Sequence, residues 1–244
     1  MTPECSKTDL GQMMSHKSGN GIDHPTAGWI GRREMLLLTL AAACWTAMPA
    51  GAADAPGTTA GEGASGPVSA LYAGLVTAMK AGRSVPFATR FAQLAPVIDG
   101  AFDLPVILKG AVGPRWATMT PDEQTGLLDS FRRFTVTTYV FNFNSFGGER
   151  FDILPDRRSV GDSVVVATQI VQKSGKLARL DYVLHSAGGD GATAAWKITD
   201  ILLDGSFSQV AVQRSEFRSS LAAGGAAQLI TTLDRKSDSL SKDS

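Results

Sequence analysis

The chain has 244 residues, with 23 Lys and Arg against 23 Asp and Glu, so its formal net charge is zero. A neutral chain lacks the broad basic field with which proteins bind nucleic acid or anionic membranes, and we expect no nucleic-acid partner. Its hydrophobic fraction of 43% and its mean hydropathy of +0.02 fit a folded domain rather than a disordered chain or a multi-span membrane protein.

Residues 1–52 are predicted to be a cleaved signal peptide. Residues 35–48 (MLLLTLAAACWTAM) form an uncharged apolar run directly behind Arg32 and Arg33. The run is too short to span a bilayer and has the length typical of secretory signals. Residues 50–52 (AGA) supply an A-x-A cleavage site. The protein is therefore expected to be exported, by the general secretory or the twin-arginine route.

Cleavage at this site would leave a mature chain without cysteine and with His185 as its one histidine. Such a chain has no disulfide to stabilise it, so an apolar core must do so. Zinc sites and Cys/His nucleophile pairs need more of these residues than remain. We therefore expect no metal and no cofactor.

Residues 53–66 are predicted to be a flexible linker, because Gly, Ala, Thr, Ser and Pro dominate and no hydrophobic period is present. Gly61, Gly63 and Gly66 have the G-x-G-x-x-G spacing of a dinucleotide-binding turn. That motif needs a preceding strand and a following helix, and a linker precedes it here. We reject the dinucleotide site and assign residues 67–244 to one domain.

Helical spacing of apolar residues begins at Val68 and predicts a helix to about Lys80. Shorter helices, each opened by a proline, are predicted over residues 87–94, 96–102 and 105–112. Residues 120–123 (TPDE) form a T-x-x-E capping box that opens a long helix extending as far as Phe146. After a segment of strands, helices are again predicted over residues 208–222 and 226–233.

After Gly148 the hydrophobic period changes from 3.6 to 2, which predicts antiparallel strands. The four runs are residues 151–154, 164–172, 177–186 and 196–203. In the third run Leu180, Tyr182 and Leu184 share one face, whereas Asp181 lies on the other. The order of helices, strands and helices predicts an α+β fold with a twisted four-stranded sheet.

Several motifs occur together and in order along the chain. They are residues 131–132 (FR), 148–151 (GERF), 179–182 (RLDY) and 196–205 (WKITDILLDG). This set resembles the MlaC or toluene-tolerance family of periplasmic lipid-binding proteins. Residues 94–99 (LAPVID), 102–105 (FDLP) and 213–217 (QRSEF) resemble most closely the branch associated with hopanoid biosynthesis.

The resemblance implies a sheet wrapped by helices around an apolar cavity that holds lipid acyl chains. It implies a periplasmic carrier, not an enzyme, that shuttles phospholipid or hopanoid-type lipid between an outer-membrane lipoprotein complex and an inner-membrane ABC transporter complex. We expect a monomer. Apolar residues predicted to line the cavity are Val97, Ile98, Phe102, Leu104, Leu108, Phe131, Phe134, Val166, Ile170, Leu180, Tyr182, Leu184 and Ile198.

Two alternatives remain at this stage. One is a small-molecule enzyme with a cone-shaped apolar pocket, in which Tyr139 or Tyr182 would act with Asp181. Neighbouring residues on a strand point to opposite faces, so Asp181 and Tyr182 are not expected to converge. The other is a structural periplasmic adaptor with the same fold and a filled core.

Overall fold

A computed structural model of the protein describes residues 63–187 and 195–242. The predicted signal peptide, its cleavage site and residues 53–62 of the predicted linker lie outside the described residues. The first described helix begins at Ser65, so the end of the segment predicted as linker is helical. Ala64 before it is fully buried.

Five α-helices within the described residues surround the interior of the domain. They are α1 (Ser65–Ala81), α2 (Phe87–Ala101), α3 (Leu104–Val112), α4 (Pro121–Asn142) and α5 (Gln209–Lys242). Short 3-10 turns at Gly82–Ser84 and Gly113–Thr118 follow α1 and α3. None of the helices within the described ranges combines the length and hydropathy that a membrane span requires.

Helix α2 runs without interruption through Pro96, so the prediction of two helices there was wrong. A proline inside a helix leaves the carbonyl four residues earlier without its donor. That carbonyl belongs to Ala92, and both residues lie on the exposed side of α2. Water can hydrogen-bond to the carbonyl at this position, so the helix continues.

The capping box that predicts the start of α4 is confirmed. The backbone N–H of Glu123 donates to Thr120 Oγ1 over 3.3 Å, and the backbone N–H of Thr120 donates to Glu123 Oε2 over 2.8 Å. The helix ends at Asn142, before the predicted limit at Phe146.

A break at Gly224 and Gly225 divides α5, as the two predicted helical segments require. Gly225 has a φ of 62°, a left-handed conformation that glycine adopts without steric cost. The second half continues to Lys242, well beyond the predicted end.

The sheet has five antiparallel strands in the order β1 to β5, one more than the predicted four. They are β1 (Arg150–Val160), β2 (Ser163–Val171), β3 (Leu177–Ser186), β4 (Trp196–Leu203) and β5 (Phe207–Ser208). Strand β1 lies at the edge, and its pairing with β2 is irregular between Ile153 and Arg157. Its charged second half lacks hydrophobic alternation, which explains why the predicted strand ended at Leu154.

The helices pack on the sheet face that carries Leu180, Tyr182 and Leu184, and these residues belong to one hydrophobic core. Helices α1 and α2 approach closely at Gly74. A Cβ on Gly74 would lie 2.7 Å from Val97 Cγ1, so glycine is required for this contact.

Candidate functional site

A cavity lies between α3, α4, the first half of α5 and strand β4. Its volume is about 70 Å³. It is lined by Phe102, Leu104, Ile107, Phe131, Phe134, Thr135, Thr138, Tyr139, Asp200, Ile201, Gln209, Val210 and Gln213. The wall is mainly apolar, and its polar atoms come from α4, β4 and α5.

Helix α4 contributes one continuous stripe of this wall. Phe131, Phe134, Thr135, Thr138 and Tyr139 follow the i, i+3, i+4, i+7 spacing of a single helix face. The hydroxyls of Thr135 and Thr138 donate to the carbonyls of Phe131 and Phe134 in the preceding turn, over 2.9 and 2.8 Å. Both hydroxyl protons are therefore used within the helix, and neither threonine side chain has a free donor.

A β-bulge in β4 brings Ile201 to the cavity wall. Val183 of β3 is paired with Asp200 and Leu184 with Ile198, so Thr199 is an extra residue without a counterpart. The extra residue reverses the alternation of side chains along the strand. Ile198 and Ile201 both belong to the core as a result, although strict alternation would place them on opposite faces.

Two residues that line the cavity each have a buried polar atom without a hydrogen-bond partner among the described residues: the Tyr139 hydroxyl and Gln213 Oε1. Burial raises the pKa of Tyr139 well above its ordinary value, so the hydroxyl keeps its proton. The Tyr139 ring is held by stacking on Phe143, with ring centroids 5.7 Å apart. Phe102 contacts it at the same centroid distance.

Asp200 joins the cavity wall to the start of α5. Its Oδ1 accepts hydrogen bonds from the backbone N–H groups of Ile201 and Val210, over 2.8 and 3.1 Å. The hydroxyl of Ser208 donates to its Oδ2. The carboxylate thereby caps the first turn of α5, where the helix dipole favours negative charge.

The structure places four of the predicted lining residues on the cavity wall: Phe102, Leu104, Phe131 and Phe134. Sequence reasoning did not select the other wall residues. The helical spacing on α4 could have identified Thr135, Thr138 and Tyr139, since they share a face with Phe131. No sequence signal marks the bulge that places Ile201 there.

Nine predicted lining residues lie elsewhere in the interior. Val97 packs against α1 at Gly74. The others are core residues away from this cavity: Ile98, Leu108, Val166, Ile170, Leu180, Tyr182, Leu184 and Ile198. Lipid contact by any of the thirteen stays a prediction.

The charged residues near the wall are paired with one another. Arg132 forms two hydrogen bonds with the Asp99 carboxylate, over 2.8 and 2.6 Å, and this contact raises the pKa of Arg132. Arg133 pairs with Asp234 and Asp238. These contacts tie α4 to α2 and to the second half of α5, so they position the helices.

Asp181 and Tyr182 lie on opposite faces of β3. Asp181 is almost fully buried and accepts hydrogen bonds from Arg179 and Arg158, which are half-exposed. Tyr182 belongs to the core, where its ring contacts Tyr72 edge-on. The pair therefore does not form the acid and oxyanion donor of the alternative enzyme. Residues 63–187 and 195–242 contain no cluster of His, Cys, Asp or Glu suited to a metal ion.

Comparison with known proteins decides the family. The model of the MlaC protein family matches residues 71–235, which is most of the chain. The chain belongs to the MlaC family. Its fold is similar to that of a phospholipid-binding protein from Ralstonia solanacearum, solved in complex with a phospholipid, with a TM-score of 0.61 and 21% sequence identity. The match covers 72% of this chain and 98% of that one. No curated protein sequence matches the chain.

Proposed function

We propose that this MlaC family member binds a lipid with its hydrocarbon part in the cavity and carries it through the periplasm. The observation that carries the proposal is a mainly apolar cavity inside a domain with the fold of a phospholipid-binding protein. A buried CH₂ group is stabilised by about 0.8 kcal/mol relative to water, so a long acyl chain gains on the order of 10 kcal/mol from a dry wall.

The cargo class is phospholipid or a hopanoid-type lipid. The cavity of about 70 Å³ has room for a short stretch of hydrocarbon. Binding of a whole chain therefore requires the helices around the cavity to move apart. The break at Gly224 and Gly225 separates the cavity-lining half of α5 from the half that pairs with Arg133, which favours movement of the first half alone.

The carrier role follows from the same chemistry. A lipid bound in the interior is shielded from water and can cross an aqueous compartment. We propose that the donor and acceptor are an outer-membrane lipoprotein complex and an inner-membrane ABC transporter complex, and that an amino-terminal signal peptide directs export.

A blocked cavity provides the test. Thr138→Trp places a large ring into the wall from α4, whereas Thr125→Trp places the same ring on an exposed site of the same helix. Both threonines donate to the carbonyl four residues earlier, so the two changes are matched. Native mass spectrometry after detergent-free purification would measure the lipid retained by each protein.

We expect lipid in the wild type and in Thr125→Trp, and at least a tenfold lower occupancy in Thr138→Trp. Circular dichroism would confirm that both variants are folded. A wild-type protein that retains no lipid and takes up none from phospholipid vesicles would contradict the proposal. Equal occupancy in the two variants would show that lipid binds away from this cavity.

A further inference from the structure

The zero net charge of the chain is an average, and one end of the domain is positive. At this end the carboxyl end of α1, the loop after α4 and the turn between β2 and β3 lie together. Lys80 Nζ of α1 lies 5.4 Å from the centroid of the Phe146 ring in the loop. A Cβ on Gly148 in the same loop would lie 3.9 Å from Lys173 Cβ of the turn. Lys80 and Lys173 therefore both lie beside this loop.

Two arginines add positive charge at the same place. A Cβ on Gly82 would lie 3.6 Å from the carbonyl oxygen of Asn144, so Arg83 directly follows a contact with the loop. Arg90 is buried and donates hydrogen bonds to two backbone carbonyls. Burial and the nearby charge of Arg83 lower the pKa of Arg90. We call this surface the basic end and define it by Lys80, Arg83, Phe146 and Lys173.

Within the described residues, the exposed cations of the basic end have no ion-pair partner. Residues 65–98, which form α1 and most of α2, contain no Asp or Glu. The acid of the loop is Glu149, whose Oε2 accepts a hydrogen bond from the backbone N–H of Gly147 over 2.7 Å. Asp152, further along β1, is paired with Arg150. Cations therefore outnumber carboxylates, and the basic end has a net positive charge.

Apolar side chains are exposed among these cations. Phe146 is 42% exposed, and Leu177, directly after the turn that contains Lys173, is 51% exposed. Basic side chains are attracted to the negative headgroups of an anionic bilayer, and an aromatic ring beside them enters the boundary between headgroups and acyl chains. The centre of a protein interface is instead depleted in charge. A ring surrounded by cations therefore favours a lipid surface over an acidic protein.

We propose that the basic end docks the protein on an anionic lipid bilayer. The inference goes beyond the proposed function, in which the donor and acceptor of lipid are protein complexes. It adds a direct contact with the membrane surface, made by a part of the domain that does not line the cavity.

Co-sedimentation with vesicles tests the inference on protein purified after export. Vesicles of phosphatidylcholine alone would be compared with vesicles of phosphatidylcholine and phosphatidylglycerol in equal amounts. We expect binding to the anionic vesicles to be at least about tenfold stronger. It should weaken as salt is added, because salt screens the attraction between exposed charges.

Removal of the three exposed cations locates the docking surface. The combined variant Lys80→Gln, Arg83→Gln and Lys173→Gln should bind anionic vesicles at least about tenfold more weakly, because each cation near the surface contributes about fivefold. Phe146→Ala alone should weaken binding by about threefold to tenfold. All of these side chains are exposed, and circular dichroism would confirm that the variants are folded.

Matched controls remove the same groups elsewhere. Lys109→Gln, Arg218→Gln and Arg235→Gln combined remove three exposed cations of α3 and α5 that also have no ion pair within the described residues. This variant has the same net charge as the basic-end variant. Phe207→Ala is the control for Phe146, since Phe207 is 66% exposed. Both controls should bind within about twofold of the wild type.

A wild type that does not bind anionic vesicles at low salt would overturn the inference, and so would equal weakening by the two triple variants. If vesicles are not bound but the basic-end variant alone loses cross-links to another protein, the surface docks on a protein and the inference is wrong. Native mass spectrometry keeps the two proposals apart. Retained lipid without vesicle binding contradicts the inference alone, whereas absence of retained and acquired lipid contradicts the proposed function.

Discussion

Two parts of the interior differ in whether their buried polar groups have hydrogen-bond partners in the protein. In the closed core, which we define as the contact of α1 with the inner face of β2 to β4, the Tyr72 hydroxyl lies 2.6 Å from Thr168 Oγ1. Thr168 in turn donates to the carbonyl of Leu180. Among the residues that line the cavity, Tyr139 and Gln213 each have a buried atom without a partner in the described residues. The paired groups of the closed core stabilise the fold, whereas the cavity leaves free space in the interior.

The largest expected effect is the cost of placing a charged side chain in the closed core. Leu184 in the closed core is fully buried, so Leu184→Asp should lower the free energy of unfolding by more than about 3 kcal/mol. Leu177→Asp on the same strand is the control, since Leu177 is 51% exposed and its replacement should cost about 0.5 kcal/mol or less. Urea unfolding measures both. A small cost at Leu184 would mean that water reaches this strand and that the core is not closed there.

Two isoleucines of β4 allow the same substitution to be compared in the closed core and on the cavity wall. Ile198→Ala in the closed core should cost about 2–5 kcal/mol. Ile201→Ala on the cavity wall should cost about 1–2 kcal/mol less, because a side chain beside free space has fewer contacts to lose. Lipid extraction should show reduced occupancy for Ile201→Ala alone. Equal costs and equal occupancy would show that the bulge at Thr199 does not separate the two environments.

Alkaline unfolding should report on the closed core. Burial raises the pKa of Tyr72 from 10.0 to about 12, so the folded state keeps a proton that the unfolded state loses. The resulting stability is fully present below pH 10 and is lost as the pH rises towards 12, by on the order of 2–3 kcal/mol.

Urea midpoints across this pH range should fall less steeply for Tyr72→Phe than for the wild type. Both proteins share every other titrating group, so the difference isolates Tyr72. Parallel curves would show that Tyr72 ionises equally in the folded and unfolded states.

The smallest expected effect is the loss of the cap of α4, which should lower stability without changing lipid binding. Thr120→Ala removes the cap of α4 and should cost about 1 kcal/mol, with lipid occupancy unchanged, because the cavity wall begins several turns further along the helix. Thr125→Ala removes an exposed threonine from the same helix and should cost less. Midpoints in urea and extracted lipid would be compared. Loss of lipid from Thr120→Ala would show that the first turn supports the cavity.

Elements with local signals were predictable from the sequence. The capping box marks the start of α4, and strands β3 and β4 have the predicted bounds. The short turn before β3 contains Gly175, whose φ of 82° glycine adopts without steric cost. Elements that depend on their surroundings were missed, such as β5, whose two residues pair with β4 only because the chain returns there.

The candidate site was predictable only in part, for a similar reason. Phe131 and Phe134 were selected because helical spacing shows that they face inward, and the cavity adjoins them. Leu184 has an equally clear inward pattern, yet it belongs to the core and does not line the cavity. Periodicity distinguishes the inside of a protein from the outside, but it does not show whether the inside is filled.

The sequence by itself determined the class of fold, the cap of α4, the bounds of β3 and β4 and the family resemblance, because caps and hydrophobic periods act over a few neighbouring residues. The tertiary structure decided the position of the cavity and the residues that line it. A cavity arises where side chains from α3, α4, α5 and β4 fail to fill the space between them. That outcome depends on distances between segments far apart in the chain, which local patterns do not encode.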